Sequence, residues 1–443
     1  MRNFFIVLGI MICHPLTFAH KELDLLLEGT AVTPTLSGLQ ISLLREGSLT
    51  ENFVLGSSQL HTVEQPPLRY DHKIRVASIS KLAVALGVFR LVEKGKIDLD
   101  KEATEYLGWS LKNPAFPRSP IKLRYLLSHT SSVRDGSRYF IQAGKGKIQD
   151  FFDPKTRLWE LGSHWTSNPK EKPGYYFAYS NLNFGLLAEI IERVSNQRFD
   201  IFMKNEVLTP LGLTASFNPC VISANQLATT YRKRDKAGFW KPKRSWLAQI
   251  DAERPNCIYG SENLSDLQGF LSNYALGSNA SLFSPQGGLR ASASDLAVIL
   301  KMLVNDGRVN GKRFLTARSV ELLLQSNWKF NSELDNGLSS GESEPKRFGG
   351  GLMTDYGLSV HRIDMRAWGF EKGPQLLLGH LGEAYGVLSL ALLDPHSKNG
   401  IAAIITGVSD DPSKFPGHSP LHRIQEEILR WWIRQGSAWR VRD

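Results

Sequence analysis

Cysteine is scarce in this chain, with three among 443 residues. No Cys-x-x-Cys and no His-Glu-x-x-His occurs, so the usual spacings of zinc and redox sites are missing and we expect neither a metal nor another cofactor. Cys13 lies in an N-terminal apolar segment, which leaves Cys220 and Cys257. These two could form a disulfide in an oxidising compartment or remain buried thiols, and the sequence does not distinguish between the two possibilities.

Long hydrophobic runs are missing as well. The apolar run from Phe4 to Cys13 follows Arg2 and is too short to cross a membrane as a helix. Because Thr17-Phe18-Ala19 resembles a cleavage site, residues 1–19 are predicted to be a signal peptide, and residues 20–443 one mature domain. We therefore expect a periplasmic or secreted protein without a transmembrane span.

Internal repeats are absent too, since no period of 20–50 residues recurs, which argues against a solenoid or propeller. The formal charge is +10, and its densest basic stretch, residues 232–246, is interleaved with aromatic side chains. Such a composition can bind nucleic acid, but the predicted export argues against that partner. Asp235 to Gly238 fits the turn of a β-hairpin. We expect a solvated hairpin, and association with an acidic cell envelope stays open.

The order of apolar patterns predicts the fold class. Alternation over Ser37–Leu44, followed by a turn and Phe53–Leu55, predicts an N-terminal hairpin. Helical spacing predicts a helix at Leu182–Val194 and a C-terminal helix at His422–Gln435, capped by Gly436. Strand patterns return late, at Leu352–Val360, Gln375–Leu378, Val387–Leu393 and Ile401–Val408. Strands at both ends predict an α+β fold, with a sheet formed from both termini and a largely helical insertion at roughly residues 95–285.

Ser78 and Lys81 stand at the start of a long apolar run, Leu82 to Val92. Being three residues apart, they would share one face of a helix, a hydroxyl beside an amine. Serine is a weak nucleophile until a base takes its proton, and a lysine in apolar surroundings can supply that base. The same spacing also begins at Ser119, Ser167, Ser326 and Ser343. Ser78 alone precedes an apolar run able to form a buried helix, and its alternative role is a helix N-cap.

Two further clusters add groups of the same chemistry. Tyr179-Ser180-Asn181 directly precedes the predicted Leu182 helix and is the only Tyr-x-Asn in the sequence. A phenol could accept or relay a proton, and the carboxamide could orient both lysine and substrate. His380-Leu381-Gly382 follows an apolar strand, where a glycine would let substrate lie close to the strand edge. Taken alone, His380 would be a half-buried histidine at a strand end without a role in a site.

The three motifs, in this order and spacing, resemble those of the serine β-lactamase and penicillin-binding protein superfamily, in particular the class C β-lactamase-related hydrolases. The similarity extends from about Ser37 to the C-terminal helix. It implies a β-lactamase/transpeptidase-like α+β fold, with an antiparallel sheet flanked by helices. It also implies that Ser78 attacks a carbonyl to form an acyl-enzyme, while Lys81 and Tyr179 share the proton transfer as general base.

The resemblance further implies an oxyanion hole made by the backbone N–H groups of Ser78 and Glu383. Asn181, His380 and Gly382 are then expected to contact the substrate. His129, in Leu126-Leu-Ser-His129, is expected to organise the turn beneath the site and is assigned no catalytic role.

The third motif departs from the family pattern. β-Lactamases and D,D-peptidases usually carry Lys-Thr-Gly there, and the lysine and hydroxyl bind the substrate carboxylate. Here His380 is expected to be only partly charged near neutral pH, Leu381 offers no hydrogen bond, and Glu383 adds a negative charge. We therefore expect an esterase or amidase acting on a neutral or cationic small molecule or peptide. β-Lactams, D-amino-acid peptides and carboxylic esters all remain open as substrates.

Two alternatives remain. Ser339 lies in Gly337-Leu-Ser339-Ser-Gly341, which matches a Gly-x-Ser-x-Gly nucleophile elbow but lacks the strand before it and the helix after it. The altered third motif also allows a sensor or scaffold protein that is acylated slowly or not at all. Residues 331–345 are rich in Ser, Gly, Asn and Glu and are predicted to form a surface loop, which could act as a lid.

Overall fold

The structure is a computed structural model. It describes residues 15–233, 241, 243–252, 255–338, 351–408 and 417–439. Within these residues, no helix is long and apolar enough to cross a membrane. The first fourteen residues lie outside this part of the chain, so the signal peptide over residues 1–19 stays a prediction.

The strands lie mostly in one large sheet. In chain order they are β1 Gly38–Arg45, β2 Ser48–Gly56, β3 Ile74–Arg75, β4 Thr230–Arg232, β5 Leu247–Ile250, β6 Arg290–Ala291, β7 Arg308–Val309, β8 Lys312–Arg313, β9 Trp328–Lys329, β10 Asp355–Tyr356, β11 His361–Asp364, β12 Leu376–Ala384, β13 Val387–Leu393 and β14 Gly400–Thr406. Eight of them form an antiparallel sheet in the order β2-β1-β14-β13-β12-β11-β10-β9. The first and last strands of the chain therefore pair with each other, which confirms a sheet built from both termini.

The helices are α1 Pro15–Glu28, α2 Ser80–Glu93, α3 Ala103–Leu107, α4 Leu123–Leu127, α5 Leu182–Ser195, α6 Phe199–Met203, α7 Leu267–Ser272, α8 Ala293–Val304, α9 Ala317–Leu324 and α10 Arg423–Trp439. Short 3-10 turns lie between them, and a π-helical turn, Lys204–Leu208, continues α6. Between β2 and β9 the chain is mostly helical, although the boundaries of the insertion and of the mature domain stay predictions.

The large sheet is buried on both faces. Along β1, Leu39, Ile41 and Leu43 pack into a core with Ile428 and Trp431 of α10. Leu44 and the alternate residues of β14 pack on the other side, against α8, in a core that also includes α2 and α5. Because successive side chains of a strand point to opposite faces, the sequence of a strand that is covered on both faces is a nearly continuous apolar run. The result is three layers, with helices on each side of the sheet, which confirms the predicted α+β class.

Several element boundaries differ from the sequence prediction, and β12 runs on past the predicted end at Leu378 to Ala384, so His380 and Gly382 lie within the strand. The expected strand at Leu352–Val360 is interrupted, because the N–H of Gly357 bonds to the carbonyl of Val360 at 2.8 Å and turns the chain between β10 and β11. Gly436 does not cap the last helix, since α10 runs on to Trp439 and this glycine lacks the positive φ of a left-handed cap.

The structure of the middle of the chain shows whether the two cysteines are bonded and whether the basic stretch lies in a hairpin. Cys220 and Cys257 form a disulfide, with their Cα atoms 5.3 Å apart. β4 and β5 pair antiparallel on either side of the basic stretch, as a hairpin requires. The predicted turn at residues 235–238 lies outside the described residues, and so do Ser339 and the end of the 331–345 loop.

Helix α5 carries two buried carboxylates. Glu189 is 1% exposed, and its Oε1 accepts hydrogen bonds from Trp109 Nε1 at 3.1 Å and from Arg193 Nε at 3.4 Å. Its Oε2 has no hydrogen-bond partner among the described residues. Burial raises the pKa of Glu189 to about 8 and that of Glu192 to about 7. Arg193 opposes the shift at Glu189, but its side chain is 33% exposed and water screens its charge, so burial dominates.

We expect the stability of the protein to fall between about pH 5 and pH 8, because the unfolded chain ionises Glu189 over this range while the folded chain keeps it protonated. Glu189→Gln should remove part of this slope. Its free energy of unfolding should match wild type near pH 5 and exceed it by on the order of 1–3 kcal/mol at pH 8. Urea unfolding at several pH values measures this.

Glu321→Gln is the matched control, because Glu321 lies on α9 with its side chain 63% exposed. This variant should keep the wild-type slope. A Glu189→Gln protein that is less stable than wild type at every pH would mean that Glu189 is ionised and paired with Arg193.

Candidate active site

A tight turn at the edge of the sheet presents Ser78. The turn spans Ala77–Ile79 and leads directly into α2, with Ala77 at a φ of 48°. Ser80 fixes it, because its Oγ donates to the carbonyl of Ala77 at 2.7 Å and accepts from the N–H of Leu289 at 3.0 Å. The side chains before and after Ser78 are buried, while Ser78 itself is half-buried. The N-cap of α2 is Ile79, so Ser78 is not the cap that the alternative interpretation required.

Lys81 lies one turn further along and is fully buried, at 0% exposed. Its Nζ donates to Ser78 Oγ at 2.9 Å, to Asn181 Oδ1 at 2.8 Å and to the backbone carbonyl of Gln286 at 2.9 Å. These three acceptors match the three N–H donors of an ammonium group. The buried charge is therefore held by hydrogen bonds and fixed within contact of the serine hydroxyl.

Tyr179 and Asn181 reach this point from the start of α5. Lys81 Nζ lies 4.7 Å from the centre of the Tyr179 ring. Asn181 Nδ2 donates to Asp135 Oδ2 at 2.9 Å, and Asp135 Oδ1 accepts from the N–H of Leu182 at 2.9 Å. Asp135 thus holds Asn181 with its carboxamide oxygen toward Lys81 and at the same time accepts from the N–H of Leu182, the first residue of the helix.

Gly382 brings strand β12 against the Ser78 turn. A Cβ placed on Gly382 would lie 2.5 Å from Ser389 Oγ, 2.7 Å from the carbonyl oxygen of Val76 and 3.0 Å from the backbone nitrogen of Ser78. No side chain fits there. That this glycine makes room for substrate stays a prediction, and the structure shows that it also allows two protein backbones to approach each other. Ser389 Oγ also donates to the Val76 carbonyl at 2.8 Å, which ties β13 to the same turn.

His380 lies beneath the surface of the site. It is 0% exposed, its Nε2 bonds to Tyr356 Oη at 3.1 Å, and its Nδ1 lies 2.5 Å from the carbonyl oxygen of Leu381. Burial, the charge of Lys81 and neighbouring histidines hold the pKa of His380 well below its usual value. The expectation that it is partly charged near neutral pH is therefore wrong, because the expected solvent access is missing.

Glu383 points the other way, as alternation along β12 requires. Its side chain is 43% exposed, and its Oε2 lies 3.2 Å from His422 Nε2, just before α10. The negative charge expected at the mouth of the site is therefore present, and a histidine from the C-terminal segment faces it.

Two further histidines surround the Lys81 amine. The ring of His129 stacks on Tyr179, with centroids 4.2 Å apart and planes at 25°, and its Nδ1 accepts from the N–H of Ser180 at 3.0 Å. His361, at the start of β11, packs edge-on to His380 with centroids 4.5 Å apart. Burial and the charge of Lys81 hold the pKa of His129 well below its usual value and lower that of His361 to about 3. Both imidazoles are therefore neutral at physiological pH.

A cavity of about 270 Å³ opens onto these groups. Its polar wall residues are Ser78, Tyr179, Arg232, His361, Glu383, His422 and Gln425. Its apolar wall residues are Leu352, Met353, Leu381, Ala384, Leu388, Pro420 and Leu421, with Gly382 between the two sets. Lys81, Asn181 and His380 lie behind the wall. Within the described residues, no group of three or more His, Cys, Asp and Glu side chains could hold a metal ion.

Sequence reasoning missed three groups of the site. Gln286 contributes only its backbone carbonyl, which no side-chain pattern signals. Asp135 stands in the irregular segment after His129, where neither helical nor strand spacing marks a position. His361 could have been noticed, since it is a histidine next to a predicted strand, but its pairing partner is set by the sheet.

Comparison with known proteins identifies the family to which this chain belongs. The sequence model of the beta-lactamase family matches residues 33–418, which is most of the chain. The chain belongs to the beta-lactamase family. The resemblance inferred from the three motifs is therefore confirmed.

Curated relatives match over shorter segments. Penicillin-binding protein 4* of Bacillus subtilis is 31% identical over 151 residues, covering 34% of this chain and 31% of that protein. Esterase EstB of Burkholderia gladioli is 31% identical over 159 residues, covering 33% of this chain and 38% of the esterase. The chain thus spans about a third of the length of these relatives.

Solved structures extend the similarity to the whole fold. The D-amino acid amidase of Ochrobactrum anthropi SV3, in complex with L-phenylalanine, superposes with a TM-score of 0.64 at 18% identity. The match covers 96% of this chain and 99% of the amidase. At this identity the likeness shows the fold, which is the β-lactamase/transpeptidase-like fold expected from the sequence.

We expect Gly382→Ala to damage the site, because the new methyl group would meet the backbone of the Ser78 turn at 2.7–3.0 Å. The backbone shift should lower the free energy of unfolding by about 1–3 kcal/mol and slow the reaction of Ser78 with a fluorophosphonate probe. Gly436→Ala is the control, since a methyl group there meets nothing within 4 Å. Equal probe reactivity in Gly382→Ala and wild type would contradict the close approach.

Asp135→Asn should slow the reaction of Ser78 by about tenfold, the equivalent of one hydrogen bond to a charged group. In wild-type protein Asp135 accepts from Ser180, Asn181 and Leu182. The amide of the variant would turn an N–H₂ group toward at least one of these donors, so Asn181 would lose its orientation. Probe labelling rates measure the effect. Asp98→Asn is the matched control, because Asp98 is an exposed carboxylate that accepts from the N–H of Asp100 at 2.8 Å. The positioning role fails if both variants label at the wild-type rate.

Proposed function

We propose that this chain is an exported serine hydrolase that forms an acyl-enzyme on Ser78 and hydrolyses an ester or amide bond. The proposal rests mainly on the 2.9 Å hydrogen bond between Lys81 Nζ and Ser78 Oγ. Lys81 Nζ also donates to Asn181 Oδ1, which fixes the amine in place. A buried amine fixed on a half-exposed hydroxyl is the arrangement that an activated serine needs.

In the first half of the reaction, Ser78 Oγ attacks the substrate carbonyl carbon and its proton leaves toward Tyr179 and Lys81. Lys81 donates all three of its N–H groups, so we assign the first acceptance of the proton to the phenolate oxygen of Tyr179. The positive charge of Lys81, 4.7 Å from the ring centre, stabilises that phenolate. The proton then passes to the leaving group as the carbonyl–heteroatom bond breaks.

The carbonyl oxygen becomes negative in the transition state and needs hydrogen-bond donors. We assign this role to the backbone N–H groups of Ser78 and Glu383. Supporting this, Gly382 brings the strand just before Glu383 to within contact of the Ser78 backbone nitrogen. Removing one donor of this kind usually costs about 3 kcal/mol of transition-state stabilisation.

The wall of the cavity supports a small, neutral or amine-bearing substrate. His380 is buried and neutral and Leu381 is apolar, so the third motif offers no cation for a substrate carboxylate. Glu383 can accept an N–H from an ammonium group, whereas Arg232 adds a positive charge elsewhere on the same wall. Esters and amides of D-amino acids fit this pattern, and an esterase and a penicillin-binding protein are among the relatives.

We also propose that the protein is exported to an oxidising compartment. The sequence pattern of residues 1–19 suggests a signal peptide, and the disulfide between Cys220 and Cys257 is of the kind that persists outside the cytosol. The periplasm or the extracellular medium would meet both conditions.

A fluorophosphonate probe tests the nucleophile directly. We expect wild-type protein to be labelled at Ser78, Ser78→Ala to be unlabelled, and Lys81→Ala to react at least about 100-fold more slowly because the Tyr179 phenolate that accepts the serine proton loses the positive charge that stabilises it. Peptide mapping by mass spectrometry locates the adduct. Ser339→Ala is the matched control and should label like wild type.

Turnover of a chromogenic ester and of nitrocefin, measured in parallel, separates an enzyme from a sensor. Labelling with turnover supports the hydrolase. Labelling of Ser78 without turnover of any ester or amide would favour the alternative, a penicillin-binding-like sensor or scaffold. An adduct on a residue other than Ser78 would overturn the assignment of the nucleophile.

A further inference from the structure

His361 occupies a position in the cavity wall that the proposed reaction does not yet use. Its imidazole shares the wall with Ser78 and Tyr179. The residue is 2% exposed, and its Nδ1 is buried without a hydrogen-bond partner among the described residues. A buried polar atom left unpaired destabilises a protein by about 1–3 kcal/mol. Because Nδ1 itself is buried, a molecule in the cavity would meet the other ring nitrogen, Nε2, which also has no hydrogen-bond partner among the described residues.

The other buried histidines of the site differ from His361 in one respect. Both ring nitrogens of His380 are engaged, with Tyr356 and with the Leu381 carbonyl. His129 also has an unpartnered nitrogen, Nε2, but its ring lies behind Tyr179 and contributes nothing to the cavity wall. Only His361, within the described site, combines an unpartnered nitrogen with a place on the wall.

The groups packed around His361 keep it neutral. The ring meets Tyr356 of β10, with centroids 5.2 Å apart, and His380 of β12. The charged group that acts on it is Lys81 of α2. Burial and the charge of Lys81 lower the pKa of His361 to about 3, so the imidazole keeps one free lone pair throughout the physiological range.

We propose that His361 is a catalytic residue of the second half-reaction, and that its imidazole holds the water molecule that releases the acyl group from Ser78. This inference rests on the proposed function, since it needs an acyl-enzyme to act on. It adds a residue to that function, because the acylation step described above does not use His361.

The step balances without any further reactant. One O–H of the water donates to the free lone pair of His361, and the other O–H faces the proton acceptor formed by Tyr179 and Lys81. The water oxygen attacks the acyl carbonyl carbon, and its second proton moves to that acceptor. The bond between the acyl carbon and Ser78 Oγ then breaks, and the proton returns to Ser78 Oγ. His361 begins and ends the step in the same neutral form.

Two substitutions at this position separate water binding from packing. His361→Phe keeps an aromatic ring against Tyr356 and His380 but removes the lone pair. His361→Asn gives up the ring but keeps an oxygen able to accept a hydrogen bond. If His361 only packs, Phe should be tolerated better than Asn. If it holds water, the order is reversed.

The experiment follows acylation and deacylation separately with a p-nitrophenyl ester. The burst of p-nitrophenol reports acylation, the steady state reports deacylation, and intact mass spectrometry shows the acyl adduct. For His361→Phe we expect a burst equal to the enzyme concentration, an acylation rate within a few fold of wild type and a steady-state rate about 100-fold lower. His361→Asn should recover at least about tenfold of that loss.

Added methanol provides a second readout, since it competes with water for the acyl group. In His361→Phe the share of methyl ester among the products should rise, because water loses the residue that orders it. Thermal unfolding of each variant shows whether it is folded.

Several results would overturn the inference. These are equal losses of acylation and deacylation, a Phe variant more active than the Asn variant, and unchanged partitioning to methanol. Failure of the proposed function has a different signature, because wild-type protein would then show neither a burst nor an adduct on Ser78. The two failures are therefore distinguishable in one set of measurements.

Discussion

The arrangement of the site depends on one buried ammonium group. Lys81 is fully buried, and a charge in that position is tolerated only if hydrogen bonds replace the water it has lost. The three acceptors that do so come from three separate parts of the chain: a hydroxyl before α2, a carboxamide before α5 and a backbone carbonyl before β6. Satisfying the lysine therefore brings these segments to one point.

Burial and the charge of Lys81 together determine the protonation state of the histidines around it. His129, His361 and His380 all lie near Lys81, and its positive charge, added to burial, keeps each imidazole neutral. Neutral imidazoles pack closely against one another and against Tyr356 and Tyr179 without the mutual repulsion that neighbouring charged histidines would have. Electrostatics and packing thus support each other beneath the cavity.

The sequence was informative where local pattern and chemistry coincide. The spacing of Ser78 and Lys81, and the position of Tyr179 and Asn181 before a helix, are local features, and the structure brings these four residues together. β13 begins and ends where its apolar run does. The strand pairings themselves, such as β1 with β14, became predictable only because apolar runs occur at both ends of the chain.

Other features depend on which elements meet, and no local pattern reports that. His380 faces inward because strand β11 and Tyr356 cover it, so its burial follows from sheet order. Gly382 is required by the approach of a turn some three hundred residues earlier in the chain. Asp135 acts from an irregular segment whose conformation is set by its contacts with α5.

The hydrogen bond between Ser389 and the Val76 carbonyl has a consequence for how the protein folds. It joins residues 313 positions apart, and the outer pairing of β1 with β14 spans an even longer separation. Contacts so distant in sequence form late and slowly during folding. Until the C-terminal strands have been synthesised and have joined the sheet, the turn that carries Ser78 therefore lacks Gly382 and Ser389, the residues of β12 and β13 that hold it in place.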